Sequence, residues 1–431
     1  MLQSDSRKIN KGDIFIAIKG IVDDGHKYVE DAIKRGASKV IVEHGNYNVD
    51  TVVVKNTKEY IKEYINNNYI DINIIGVTGT NGKTTTCYIL YQLLNKLGVK
   101  CAYIGTLGYI VDDKIEELNN TTPGSLEIYN LLNKSVDNDC KYVVMEISSQ
   151  ALDQNRVDFI KLDYAIFTNL TQDHLDYHIT IDNYIKAKQK MFYLLKDNGV
   201  SLINNNDKYS SFFKIKNYKT YGWHDSDYII DSNNNINNKK YNIPLLGDYN
   251  KENVLSAVAV LYEMGYSYND LYPLVSDIKE PSGRLEVIEY GTNKIIIDYA
   301  HTPDAVYNVL KNIKKITAGR IFTIIGCGGN RDKGKRKIMG EISTNMSTYV
   351  IFTDDNPRYE KSEDILNDIT SNIYKNNYET LSNRENAIKK GIQLLENDDI
   401  LMVLGKGHEK YQIIKDIKYP FDDREIVKKY I

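Results

Sequence analysis

Hydrophobic positions alternate between short apolar runs and longer helical repeats along most of the chain. Runs rich in Ile and Val predict buried strands, whereas Leu90, Leu94 and Leu97 share one face of a helix that Gly98 ends. Strands that alternate with helices predict parallel sheets and therefore an α/β fold. The predicted strands are 15–18, 39–43, 51–54, 73–78, 99–105, 141–147, 163–169, 294–298, 320–325, 349–353 and 400–404, with further helices over 26–37, 303–314 and 384–396.

Breaks in this pattern divide the chain into three α/β units. Its 431 residues exceed what one ordinary hydrophobic core holds. We predict domains at 1–70, 71–287 and 288–431, the last of them Rossmann-like, with the Pro- and Gly-containing segment 280–288 as a linker. The Asn- and Lys-rich stretch 203–243 shows only weak alternation, and we predict surface hairpins there without chemistry.

Composition and charge narrow the class of protein. Hydrophobic residues make up 42% and charged residues 26%, which is typical of a globular domain protein. A net charge of -3 gives no basic excess for nucleic acid or a membrane surface. The N-terminus lacks the apolar core of a signal peptide, and no window reaches the roughly 20 apolar residues of a membrane span. Four scattered cysteines predict neither a zinc site nor disulfides, which is typical of a reducing cytoplasm. We also expect a monomer.

The strongest motif is GVTGTNGKTT at 76–85, between a predicted strand and a predicted helix. Glycines there let backbone N–H groups converge on an anion, and the helix N-terminus adds partial positive charge. Lys83 can reach the β- and γ-phosphates and Thr84 can hold Mg²⁺. The standard phosphate-loop pattern has Gly where this chain has Val77, but the strand, glycines, Lys and Thr are otherwise in register. The motif predicts a nucleotide site.

Two further clusters follow predicted strands of the same unit. Glu146 ends a strand, and open parallel sheets bind ligands outside the carboxyl ends of their strands, so Glu146 is placed to meet a metal ion. The segment 168–178 contains two histidines, His174 among them, and two aspartates. Since Mg²⁺ prefers oxygen ligands, the segment is explained equally well as a helix that Asp173 caps and that carries histidines on the protein surface.

Three loops of the C-terminal unit also follow predicted strands, at 326–336, 355–358 and 405–409. Together they place several cations and glycine-exposed backbone at one sheet edge. Such an edge suits a zwitterionic substrate that carries carboxylates. Any one of these loops alone is also typical of an ordinary basic surface.

Ten sequence blocks carry a resemblance over nearly the whole chain. The blocks are GVTGTNGKTT, EISSQALDQNRV, FTNLTQDHLDYH, AKQKMF, GDYNKENVLSAVAV, SGRLEV, DYAHTPD, GCGGNRDKGKR, DNPR and GKGHEKYQ. In this order the chain resembles the Mur ligase family. The resemblance implies a UDP-sugar-binding domain at 1–70, a central ATPase at 71–287 and a C-terminal Rossmann-like domain at 288–431 that brings the amino acid.

The resemblance also implies roles for individual residues. Catalysis would depend on Lys83, Glu146, His174 and Lys188. Mg²⁺ would be held by Thr84, Glu146, His174 and Lys188, the last carbamylated to N6-carboxylysine, although most lysines of this kind are ordinary surface residues. ATP would be bound by Gly79, Thr80, Asn81, Gly82, Lys83, Thr84, Thr85, Asn250, Asn253, Asp298 and His301. The UDP-linked dipeptide would be bound by Ser6, Asn120, Thr121, Thr122, Ser148, Gln154 and Arg156, and the diamino acid by Arg331, Asp355, Asn356, Pro357, Arg358, Gly405 and Glu409.

The implied reaction is ATP-dependent amide formation on a cell-wall precursor, UDP-N-acetylmuramoyl-L-alanyl-D-glutamate. The DNPR block resembles relatives that use meso-diaminopimelate, whose extra carboxylate requires an Arg such as Arg358. Addition of lysine or ornithine is the alternative within the family. Broader alternatives are a folylpolyglutamate-type ligase, which the blocks GCGGNRDKGKR and DNPR disfavour, and a nucleotide-binding protein without catalysis.

Overall fold

Three β-sheets with flanking helices follow one another along the computed structural model, which describes residues 1–20, 23–68 and 70–431. The N-terminal sheet is parallel, and its strands are Leu2–Gln3, Ile14–Ile16, Lys39–Val42 and Asp50–Val53. Its helices are Val29–Lys34 and Thr57–Asn67. Every strand predicted from the apolar runs of this unit is confirmed to within two residues.

The central sheet contains nine strands within the described residues, and all but one of them, Gly108–Val111, run in the same direction. Helices cover both faces of this sheet, so two separate cores form, one on each side. In sheet order the strands are Tyr228–Ile229, Tyr218–Gly222, Leu195–Asn204, Leu162–Phe167, Asn73–Thr78, Tyr142–Glu146, Cys101–Gly105, Gly108–Val111 and Lys114–Glu116. The helices are Lys83–Lys96, Ser125–Asp137, Ser149–Asp153, Leu175–His178, Ile181–Tyr193, Asp248–Glu263 and Tyr268–Val275.

The C-terminal sheet has six strands in the described part of the chain, five of them parallel. In sheet order they are Glu286–Tyr290, Asn293–Asp298, Ile400–Leu404, Ile321–Ile325, Tyr349–Phe352 and Tyr378–Thr380. The helices are Pro303–Ile316, Gly334–Met346, Ser362–Thr370, Arg384–Gln393 and Asp423–Tyr430. The remaining strands form two short hairpins, in which Asn235–Ile236 pairs with Lys239–Lys240 and Tyr411–Ile414 pairs with Ile417–Pro420.

The prediction of surface hairpins over 203–243 was wrong for most of that stretch. The central sheet continues there with two parallel strands, Tyr218–Gly222 and Tyr228–Ile229, and only residues 235–240 form a hairpin. Tyr221 is fully buried against the helix Asp248–Glu263, and its hydroxyl donates to the carbonyl of Phe167 at 3.0 Å. Tyrosines with a satisfied hydroxyl can replace aliphatic residues in a core, which is why an Asn- and Tyr-rich sequence concealed these strands.

The linker predicted at 280–288 ends earlier than expected. The strand Glu286–Tyr290 pairs antiparallel with Asn293–Asp298, so its first residues already belong to the C-terminal sheet. A cut between 287 and 288 would divide this strand, and the domain boundaries themselves stay predictions. The segment before residue 286 carries Arg284, which faces the central unit.

The N-terminal sheet docks on the central helix Ser125–Asp137. Lys8 pairs with Glu127 at 2.7 Å, and the amide of Asn130 donates to the carbonyl of Leu2. Tyr129 packs in the same apolar cluster as Leu2. Among the described residues, no helix is both long and apolar enough to cross a membrane.

A buried ion pair joins the last helix to the helix Arg384–Gln393. Arg384 and Asp423 are both fully buried and form two hydrogen bonds, at 2.8 and 2.7 Å. We expect Asp423→Ala to lower the free energy of unfolding by about 3–5 kcal/mol, because it leaves a buried guanidinium without its partner. Chemical denaturation measures this loss. The control is Glu425→Ala on the same helix, where an exposed pair with Lys428 should contribute less than about 1 kcal/mol; equal losses for the two variants would contradict the expectation.

Candidate active site

The predicted phosphate loop lies between the central strand Asn73–Thr78 and the helix Lys83–Lys96. Gly82 precedes the helix with a φ of +86°, and a Cβ there would lie 2.6 Å from the Asn253 side chain, so only glycine fits. The first N–H groups of the helix have no intrahelical acceptor and are free for an anion. The Lys83 ammonium donates to the carbonyls of Gly79 and Thr80, both at 2.9 Å. Burial lowers the pKa of Lys83, and the negative charge of Glu146 partly opposes this lowering.

One cavity of about 240 Å³ opens at this loop between the central and C-terminal units. Of the residues predicted for ATP, only Gly79 is missing from its lining, and Gly79 lies directly behind Lys83. Lys83, Glu146 and His174 all face this cavity. The two units meet across it, since the amide of Asn81 donates to Asp304. The structure therefore brings the predicted nucleotide residues together with three of the four predicted catalytic residues, although their roles stay predictions.

Strand register places a carboxylate beside the phosphate loop. Val77 pairs with Glu146 in the parallel sheet, so the fully buried Glu146 side chain lies next to the helix that begins at Lys83. Thr84 Oγ1 donates to Glu146 Oε2 at 2.9 Å, and the Tyr103 hydroxyl and Thr106 N–H donate to Oε1. A hydroxyl and a carboxylate oxygen at this separation fit the donor preference of Mg²⁺.

His174 and Lys188 are the other two residues predicted to hold Mg²⁺, and they lie in the loop and helix that follow the strand Leu162–Phe167. His174 has a left-handed backbone (φ +54°), and burial, with the ammonium groups of Lys83 and Lys188, lowers its pKa to about 4 against the opposing Asp173. Its imidazole is therefore neutral and can coordinate a metal ion. The alternative of surface histidines fails at His178, which is buried and contacts Ser149 at 2.9 Å.

Lys188 is the opposite of an ordinary surface lysine. It is 1% exposed, and its ammonium donates to the Gly79 carbonyl at 2.8 Å behind the phosphate loop. Burial, together with the nearby Lys83 charge, holds the pKa of Lys188 well below its usual value. Both effects disfavour the protonated form, so the side chain is available as a neutral amine.

Most residues predicted for the UDP-linked dipeptide form one cluster beside Glu146. Thr122 Oγ1 donates to the Glu146 carbonyl and accepts from Ser148 N–H, and Arg156 donates to the Thr122 carbonyl and to Gln154. Thr121 contacts Thr106 at 3.1 Å at the edge of the nucleotide cavity, and Asn120 is exposed next to it.

Ser6 does not join the dipeptide cluster. It lies in the N-terminal unit, where its hydroxyl donates to Asp31. The structure thus separates one predicted contact from the other six.

The residues predicted for the diamino acid meet at the carboxyl edge of the C-terminal sheet. Arg331 and Arg358 flank Gly328, where a Cβ would lie 2.9 Å from the Arg358 guanidinium. Burial and the charge of Arg331 lower the pKa of Arg358, which donates only to backbone carbonyls among the described residues. Asp355 and Glu409 lie close enough to Arg358 for the charge of each carboxylate to oppose this lowering of its pKa. Asn356, Pro357 and Gly405 form the backbone of the same edge.

Sequence reasoning missed several residues of these sites. Asn169 orders the phosphate loop, because its side chain accepts from the N–H of Asn81 at 2.9 Å. Arg284 lines the nucleotide cavity, lies over the Tyr299 ring and approaches Thr84 at 3.4 Å. Lys406 is fully buried between Asp355 and Glu409. Each stands inside a block that was recognised, but only the fold shows which side chains of the block point inward.

Three family models together match nearly the whole chain. They are described as Mur ligase family, catalytic domain (residues 1–78), Mur ligase middle domain (77–261) and Mur ligase, glutamate ligase domain (283–407). Fold and site define a three-domain, ATP-dependent enzyme that forms amide bonds. The chain belongs to the Mur ligase family.

Relatives and solved structures agree with this assignment. The chain is 40% identical to UDP-N-acetylmuramoyl-L-alanyl-D-glutamate–2,6-diaminopimelate ligase of Fusobacterium nucleatum, covering 100% of this chain and 93% of that protein. It is 41% identical to the second such ligase of Clostridium acetobutylicum, covering 98% and 93%. A solved structure of a ligase with this name matches with a TM-score of 0.61 at 30% identity, over 100% of this chain and 94% of the other. The MurF ligase of Thermotoga maritima in complex with ADP shares the fold, with a TM-score of 0.71 at 19% identity, over 94% and 93%.

Proposed function

We propose that the protein joins meso-2,6-diaminopimelate to UDP-N-acetylmuramoyl-L-alanyl-D-glutamate, as a step in peptidoglycan precursor synthesis in the cytoplasm. The names of the full-length relatives support this reaction. The observation that carries it is the amino-acid edge, where Arg331 lies beside Arg358 and the charges of Asp355 and Glu409 act on Arg358. The far end of diaminopimelate bears one carboxylate and one ammonium, which match these two pairs, whereas lysine and ornithine lack the carboxylate.

The proposed chemistry has two steps. The terminal carboxylate of the dipeptide attacks the γ-phosphorus of ATP, the bond to the bridging oxygen breaks, and ADP leaves. The amine of the diamino acid then attacks the acyl phosphate carbon, an amide bond forms, and phosphate and one proton are released. Phosphorylation is required because a free carboxylate would have to expel oxide, which is a poor leaving group.

Within this proposal each cluster has one task. Lys83 and the helix N-terminus neutralise the phosphates, and the Arg156 cluster holds the dipeptide with its carboxylate toward Glu146. Thr84, Glu146, His174 and a carbamylated Lys188 would hold Mg²⁺. Bound there, Mg²⁺ would stabilise negative charge on the transferring phosphoryl group. The N-terminal, central and C-terminal units would then serve as the UDP-sugar-binding, ATP-binding and amino-acid-binding domains, respectively.

The test of the reaction is ADP release from purified protein with ATP, the UDP-linked dipeptide and one of three amino acids. We expect release to require all three substrates and to be fastest with meso-diaminopimelate. Release without the dipeptide or the amino acid would contradict ligase chemistry. Preference for lysine or ornithine would instead favour the alternative substrate.

Arg358→Ala tests how the amino acid is chosen. Removing a charged hydrogen-bond partner costs about 1.5–3 kcal/mol, so we expect KM for meso-diaminopimelate to rise about 10- to 100-fold. KM for lysine should change far less, because lysine has no carboxylate at that end. Steady-state kinetics with both amino acids gives the comparison. Lys410→Ala, an exposed cation of the same region, is the control; an equal rise for both amino acids would contradict the assignment.

A further inference from the structure

Lys406 is a buried cation inside the amino-acid site that no role yet explains. It follows the strand Ile400–Leu404, lies between two glycines with positive φ, and is fully buried. Its ammonium lies 3.1 Å from Glu409 Oε2, 3.2 Å from Asn356 Oδ1 and 3.6 Å from Asp355 Oδ1. Burying a lysine is costly, so its partners must compensate it.

The two carboxylates of the site differ in the hydrogen bonds that they accept. Glu409 Oε2 accepts from both Lys406 and Asn356, at 3.1 and 2.8 Å. Asp355 Oδ1, in contrast, is buried and accepts no hydrogen bond in the part of the chain that the structure describes. A buried carboxylate oxygen without a donor is unfavourable unless a ligand supplies one.

The charge count of the site depends on Lys406. Lys406, Arg331 and Arg358 are three cations, and Asp355 and Glu409 are two carboxylates, so the summed formal charge of these five groups is +1. A positive site favours a zwitterionic group over a purely cationic one. Without Lys406 the net charge would be zero, and two neighbouring carboxylates would attract any ammonium.

We propose that Lys406 is a specificity-determining positioning residue, which neutralises Glu409 and leaves only Asp355 to receive the ammonium of a zwitterionic diamino acid. The inference rests on the proposed function and deepens it. Lys406 acts through the charge of the site and through the position of Glu409 and Asn356. It therefore disfavours lysine, whose side-chain end carries an ammonium without a carboxylate.

Three variants separate this role from simple packing. Lys406→Met keeps the length of the side chain and removes the charge, and Lys406→Arg keeps the charge. Lys406→Met combined with Glu409→Gln removes both charges of the buried pair and restores the net charge of +1. This double variant leaves no uncompensated carboxylate, so it tests the proposal even when the single Met variant does not fold.

The measured quantity is the ratio of kcat/KM for meso-diaminopimelate to that for L-lysine. We expect Lys406→Met to lower this ratio at least about 10-fold through KM, which corresponds to about 1.4 kcal/mol of discrimination. Lys406→Arg and the double variant should keep it within about threefold of the wild type. An unchanged ratio in Lys406→Met, a uniform loss of kcat, or a double variant that discriminates no better than the single one would each overturn the proposal.

Binding measurements keep this result distinct from the proposed function. Calorimetric titration of the two amino acids into the ADP-loaded protein gives the same ratio without turnover. Wild-type protein that releases no ADP with any diamino acid would refute the proposed reaction. Wild-type protein that favours meso-diaminopimelate, with a ratio insensitive to Lys406→Met in both assays, would refute only the role of Lys406.

Discussion

Lys83→Met is expected to lower turnover about a thousandfold, because one preorganised cation at a transferring phosphoryl group contributes on that scale. The structure holds the Lys83 ammonium between two carbonyls of the phosphate loop, at the mouth of the cavity that Glu146 and His174 share. Methionine keeps the length of the side chain and removes the charge. ADP release with saturating dipeptide and diamino acid measures the loss, and ADP binding should weaken in parallel.

The matched control for Lys83 is Lys96→Met at the opposite end of the same helix. Lys96 pairs at the surface with Asp277, a contact that should contribute less than about 1 kcal/mol to stability and nothing to turnover. If Lys83→Met kept more than about a tenth of the wild-type rate, the phosphate loop would not hold the reacting phosphate.

Lys188→Ala is expected to reduce turnover about 100-fold or more, with partial recovery when acetate or propionate is added. A buried neutral amine can attack CO₂, forming an N–C bond and releasing one proton, and the product is a carbamate that offers oxygen ligands. Alanine removes this group and leaves space in which a small carboxylate can take its place. Turnover with and without the added carboxylate measures the effect.

Lys186→Ala is the control for this experiment, since Lys186 is exposed two residues earlier on the same helix. Its rate should stay at the wild-type level and should not respond to acetate. Carbon-13 NMR of protein equilibrated with labelled bicarbonate should show a carbamate signal in the wild type and in Lys186→Ala. Its absence from the wild type, or full activity of Lys188→Ala, would exclude a carbamylated ligand.

Apolar runs between glycines were enough to predict the α/β class and eleven of the 23 strands that the described residues form. The strand Asn73–Thr78, for example, coincides with the predicted 73–78, because its Ile and Val side chains are buried on both faces. The strand at Tyr218–Gly222 was missed because its burial relies on tyrosine and threonine, whose polarity conceals the period. Patterns of hydrophobicity detect apolar cores, not cores in which polar groups are satisfied by hydrogen bonds.

Residues that are close in the chain were enough to predict the most apolar strands, the phosphate loop and the motif blocks that indicate the family. Tertiary structure alone decided that Lys188 is a buried amine beside Gly79, that Ser6 lies apart from the Arg156 cluster, and that Lys406 stands between two carboxylates. These are contacts between distant segments, and burial by those segments changes the charge and availability of a side chain. The sequence shows for each lysine only a flexible side chain that ends in an ammonium group. The surroundings in the fold determine whether that group binds phosphate, reacts as an amine or neutralises a carboxylate.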